Sequence, residues 1–180
     1  MKNTRYILTV FILGLTLGAG GTYILVGQGG LGSNISRLKV IGEGKPNENV
    51  LYTNEQYDFS FRYPQGLIFE EFEEKNGAHT IVFQKPDDVK TSFQIYITPY
   101  EESTITGDRI LYDASGPVTD LKEENIREDF LAATFISEAP ILGKTREIWW
   151  LHGGYLFEVT TYASLDTWIR DIIKTVEFKK

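Results

Sequence analysis

The chain has no cysteine, only two histidines, and a single methionine at its first position. Without cysteine there can be no disulfide, no thiolate metal site, and no residue for a lipoprotein lipid. A domain of this sequence must hold together by its core alone. Two histidines, His79 and His152, leave little material for an imidazole site. Acidic residues are absent before residue 27, where the only charges are Lys2 and Arg5.

All 25 acidic residues follow that point, against 16 basic ones, so the remainder carries a formal −9. That balance excludes nucleic acid as a natural partner, since affinity there depends on Lys and Arg neutralising phosphates. An anionic lipid surface should repel it as well. The length fits one domain, and the 13% aromatic content is enough for a substantial core.

Residues 6–26 read YILTVFILGLTLGAGGTYILV and carry no charge. As a helix this segment is ~31 Å long, matching a hydrocarbon layer of roughly 30 Å. Lys2 and Arg5 precede it, so the positive-inside bias keeps residues 1–5 cytoplasmic and sends the rest across. The segment reads as a transmembrane signal-anchor helix whose partner is the lipid bilayer. The alternative is a cleaved signal peptide, with Gly18-Ala19-Gly20 as the small-residue site. Either way the domain is exported: anchored to the cell membrane as a single-pass protein, or secreted. Gly14 and Gly18 form a GxxxG pair that would allow close helix approach and a homodimer.

Residues 27–50 form a Gly-rich linker, with an r.m.s. reach of ~25–30 Å. It contains the glycosylation triplet Asn34-Ile35-Ser36. From residue 51 to 180 the pattern is that of one domain. Alternation over YDFSFRYP puts Phe59, Phe61 and Tyr63 on one strand face. LIFEEF, HTIVFQ and TSFQIYITPY read as further strands, the first two joined by a turn containing Asn76-Gly77. GDRILYD reads as a helical turn and the polar segment after it, to Asp129, as a loop. ATFISEA, TREIWWLH and YLFEVTTYA read as three antiparallel strands, with Gly153-Gly154 as a two-residue hairpin turn. SLDTWIRDIIKTVEF reads as a helix with Ser164 as N-cap and an apolar stripe from Leu165 to Val176.

Tyr57-Asp58-Phe59-Ser60-Phe61-Arg62-Tyr63-Pro64-Gln65-Gly66-Leu67 resembles the opening "GFSF-x-YP-x-GW" signature of PsbP-like domains. Leu67 stands in place of the usual Trp, and Tyr57-Asp58 in place of the usual Gly. Tyr155–Ala163, followed by Trp168 and the run Ile172–Phe178, is similar to that family's ending. The resemblance implies a Mog1/PsbP-like α-β-α sandwich: an α+β domain whose central antiparallel sheet has helices on both faces. It further implies kinship with membrane-anchored bacterial relatives. A photosystem II extrinsic-subunit-like role is the alternative it carries from plant and cyanobacterial members.

No set of residues points to catalysis. His152-Gly153-Gly154 resembles an oxyanion motif, but the chain has no Gly-x-Ser-x-Gly elbow to go with it. The acidic pairs Glu70-Glu71, Glu73-Glu74, Asp87-Asp88, Glu101-Glu102 and Glu123-Glu124 read as solvated charge. A weak calcium site among them is the alternative, without EF-hand spacing. Trp149 and Trp150 are adjacent on a strand and so face opposite sides, both expected to be covered. No catalytic, cofactor or metal residue is assigned. The expected function is a non-catalytic extracytoplasmic module that binds a membrane-protein partner or assists assembly of a membrane complex. A small-ligand or calcium sensor is the alternative.

Overall fold

Alternating aromatic and polar residues drive most of this chain into antiparallel strands. The computed structural model describes residues 48–74 and 77–179. Its first two strands, β1 (Asn49–Asn54) and β2 (Phe59–Pro64), form a hairpin. They join β10 (Glu177–Phe178) in a three-stranded sheet of order β1-β2-β10. The larger sheet has seven strands. They are β3 (Ile68–Glu73), β4 (His79–Lys85), β5 (Asp88–Pro99), β6 (Val118–Arg127), β7 (Phe130–Ala139), β8 (Gly143–His152) and β9 (Tyr155–Tyr162). Their order is β3-β4-β5-β9-β8-β7-β6, and every pairing is antiparallel. Two short helices complete the domain, α1 (Gly107–Asp113) and α2 (Asp166–Ile173), the second entered through a 3-10 turn at Ala163–Leu165.

One face of the large sheet is covered twice. β2 presents Phe59, Phe61 and Tyr63 inward, all buried, as its period-two alternation requires. They meet Phe83 and Phe93 of β4 and β5, whose rings stack 4.7 Å apart. Beside this small sheet, α2 lays down Ile169, Ile172 and Ile173. Trp150 of β8 and Phe157 of β9 stack beneath. The opposite face carries α1 alone, seated by the buried Ile110 on Phe135, Trp149 and Leu156.

This layering corrects the sandwich expectation. The domain is mostly antiparallel β, and its central sheet does not have helices on both faces as layers. The reason is local. The aromatic stretch at 59–64 is a strand with its own partners, so a second sheet takes the space a helix layer would fill. The described chain has just two helices, of seven and eight residues. None among the described residues is long and apolar enough to cross a membrane. The expected anchor 6–26, Gly14, Gly18, the cleavage site, the glycosylation triplet and most of the linker lie outside the described residues.

Two local readings also change. The polar segment after α1 is a strand, β6, at the sheet edge, rather than a loop. Ser164 sits in the 3-10 turn; the α2 N-cap is Leu165, with no side-chain cap. The hairpin expectation held: Gly153 and Gly154 both have positive φ. Gly116 matters for a different reason, since a Cβ there would lie 2.0 Å from the Glu138 carbonyl oxygen. Only glycine lets the segment between α1 and β6 pass so close to β7.

Candidate functional site

The face under α1 is unlike the aromatic one. Alternation along β8 and β9 sends Glu147 and Glu158 to the same side as Trp149 and Leu156. Trp149 is opposite Glu158 in the register, which makes the two glutamates diagonal neighbours. They are only 5% and 6% exposed. Glu147 accepts hydrogen bonds from Thr145 Oγ1 at 2.7 Å and Thr160 Oγ1 at 2.6 Å. Trp149 lies close enough to favour the ionised form without completing a well-formed hydrogen bond. Burial nevertheless outweighs these donors and pushes the Glu147 carboxyl up. Glu158 is pushed up further, first by burial and then by the charges of Glu147 and Asp113, with Arg109 opposing.

Between these groups and the end of α1 lies a cavity of about 20 Å³. It has room for about one water-sized group. Gln94, Asp113, Ser115, Glu147, Trp149 and Glu158 are among its lining residues. The Gln94 amide oxygen is buried there without a hydrogen-bond partner. Among the described residues no three His, Cys, Asp or Glu side chains converge as a metal site would require.

The outer surface of α1 carries two large exposed apolar side chains. Leu111 is 63% and Tyr112 69% exposed. Leu121, on β6, is 41% exposed. Leu121 Cδ2 lies 4.0 Å from where a Gly107 Cβ would stand, and Leu111 is one helical turn on from Gly107. Leu111 and Leu121 therefore lie around the same position, and Tyr112 extends this exposed apolar surface from the next position of the helix. The chain presents Leu121 through a bulge: β6 spends two residues, Asp120 and Leu121, opposite Phe135 alone. Asp120 has φ 54°, a conformation Asp tolerates better than most residues. Its carboxylate turns to the other face, 3.5 Å from Arg146. Glu101, Glu102 and Asp108, on α1 and the loop leading into it, are exposed and acidic. Arg109 of α1 is tied to Asp113 and lies 5.2 Å over the Tyr100 ring.

The two histidines do not meet, because β4 and β8 are separated by β5 and β9. His79 is clamped between Glu73 at 3.0 Å and Glu71 at 3.3 Å. Burial alone would lower its pKa, but the hydrogen bonds and charges of those two carboxylates outweigh it, and the pKa is raised. His152 stacks on Phe178 with centroids 3.8 Å apart, and burial lowers its pKa. Gly153-Gly154 is the hairpin turn, and the Gly154 carbonyl accepts from the Tyr100 amide at 2.9 Å. The acidic pairs are dispersed: Glu71 and Glu73 serve His79, while Glu124 binds Arg170 at 2.5 Å. Trp149 and Trp150 are both buried, on opposite faces.

Sequence reasoning missed Glu147 and Glu158 because neither belongs to an acidic pair. A signal was present. Each occupies the inward phase of a strand whose flanking inward positions, Trp149 and Leu156, are apolar.

No protein-family model matches the chain, and no curated protein matches it by sequence. Solved structures do match by shape. The solution structure of cyanobacterial PsbP (CyanoP) from Synechocystis sp. PCC 6803 aligns at a TM-score of 0.52 and 13% identity. The alignment covers 78% of this chain and 98% of that one. A crystal structure from Bacteroides thetaiotaomicron VPI-5482 aligns at 19% identity, covering 72% of this chain and 48% of that one. Its TM-score of 0.42 is below the level from which a shared fold follows. The segment that resembles the PsbP opening signature forms β2 and the turn after it, and the segment similar to the ending forms β9, α2 and β10. The described domain therefore has the PsbP-like fold.

Proposed function

We propose that this chain is a non-catalytic module of PsbP type, held outside the cytoplasm by residues 6–26, that docks a protein partner. The observation that carries the docking is the patch of Leu111, Tyr112 and Leu121. Large apolar side chains gathered on one exposed surface favour association. The occupant this patch fits is an amphipathic segment with basic residues flanking an apolar stripe. Glu101, Glu102 and Asp108 would pair with the basic residues, and the apolar stripe would cover the three side chains.

A photoreactive amino acid at position 112 of the full-length chain, in its native membrane, tests this. A reproducible adduct with one membrane protein is expected, weakened by Leu111→Asp. The matched control is position 51, where Leu51 is 52% exposed on the opposite side of the domain. Equal adducts from both positions, an adduct with a second copy of the chain, or none at all would reject the reading.

A further inference from the structure

The Glu147–Glu158 cavity and the docking patch share one element. Asp113, Ala114 and Ser115 at the end of α1 line the cavity from above, while Leu111 and Tyr112 of the same helix form the patch. α1 is weakly held. Its single buried residue is Ile110, and its N-cap is the Thr106 side chain accepting from the Arg109 amide. The strands below it, β8 and β9, are interior to the sheet and paired on both sides. Such an element can open while the sheet stays intact.

The charges around Glu158 are unbalanced. Glu147 faces it from β8, and Asp113 from α1. Tyr96 of β5 is opposite it in the register, and Tyr100 and Glu102 lie on the loop leading into α1. Arg109 is the basic group that acts on it, already engaged by Asp113. A charge on Glu158 would sit in a small space beside the carboxyls of Glu147 and Asp113. The cheapest relief is to admit water by lifting α1.

We infer that α1 is a hinged lid that stays seated while Glu158 carries a proton, so that rising pH, on ionising Glu158, releases it and disperses the docking patch. The link to docking rests on the function proposed above; the lid itself does not. The hinge points are Thr106 and Gly116, on either side of the helix. Gly116 remains fixed against β7, so the movement is confined to 107–115.

Hydrogen exchange of the full-length chain in lipid nanodiscs, read by mass spectrometry near pH 6 and near pH 9, tests the lid without any partner. The expected result is a loss of protection of about tenfold or more across 107–115, with β5 and β9 unchanged. Glu158→Gln should hold α1 equally protected at both pH values. Glu147→Gln, which removes one neighbouring charge, should move the transition to lower pH. Flat protection in the wild type, the same loss in Glu158→Gln, an unmoved transition in Glu147→Gln, or a loss shared by β5 and β9 would each overturn the lid. Should Glu158→Gln not fold, the wild-type locality and the Glu147→Gln shift still decide. A lid that opens in a chain giving no adduct at position 112 would reject the docking reading and leave the lid standing.

Discussion

The two faces of the seven-stranded sheet were built for different tasks. The face toward the small sheet and α2 has an aromatic, interlocked centre, with its buried charges paired at the margins: Phe61, Phe83 and Phe93 pack ring on ring, Trp150 stacks on Phe157, and His79 and Arg146 meet carboxylates. The face toward α1 mixes Trp149 and Leu156 with two buried carboxyls and an unpartnered amide. One face supplies stability that a chain without disulfides needs. The other tolerates polar burial under a helix anchored by one isoleucine. Concentrating stability on one side leaves the second free to carry groups that a core would reject.

That contrast can be broken by mutation. Phe83→Ala removes a fully buried ring and should cost ~3–5 kcal/mol in urea unfolding. Ile110→Ala deletes the anchor of α1, and its global cost should be less than half of that, because α1 can detach first. Equal costs would make the α1 face a second core. A third expectation concerns pH. Glu147 and Glu158 hold protons in the folded chain that the unfolded chain releases above about 4.5. The contribution of these two groups to stability is therefore greatest below that value and falls as pH rises toward their folded values. Glu158→Gln should flatten part of this slope in urea melts taken across pH.

His79 works on the other face and has the same sign. Its raised pKa means the clamp with Glu71 and Glu73 contributes fully below about 6.5 and is lost as pH rises through the folded value. His79→Gln should remove this component alone, and additivity with Glu158→Gln would show that the two faces titrate independently. The smallest effect belongs to Leu111→Asp. It should change stability by within ~0.5 kcal/mol while weakening the position-112 adduct.

β2 was legible because period-two alternation survives in it, while β4, β8 and β9, buried on both faces, were legible as short aromatic and β-branched runs bounded by turn residues. β6 was not, because its first half is exposed on both sides and reads as polar chain. Alternation also says that a strand has an inner face without saying which sheet it joins. That is why the aromatic strand at 59–64 was readable and its separate sheet was not. The 3-10 entry to α2 displaced the expected cap by a residue, since Tyr162 ends β9 immediately before the turn. The docking patch needed three dimensions. Leu111 and Leu121 are joined by the β6 bulge, which no spacing rule announces.

The sheet ends in β3 on one side and β6 on the other, and both edges are charged. β3 carries Glu70, Glu71 and Glu73; β6 carries Asp120, Glu123 and Glu124 against Lys122 and Arg127. An unpaired edge invites a neighbour's strand, and here the neighbour would arrive with carboxylates of its own. Carboxylate-lined margins let copies crowd together while each ladder of hydrogen bonds still ends within its own chain.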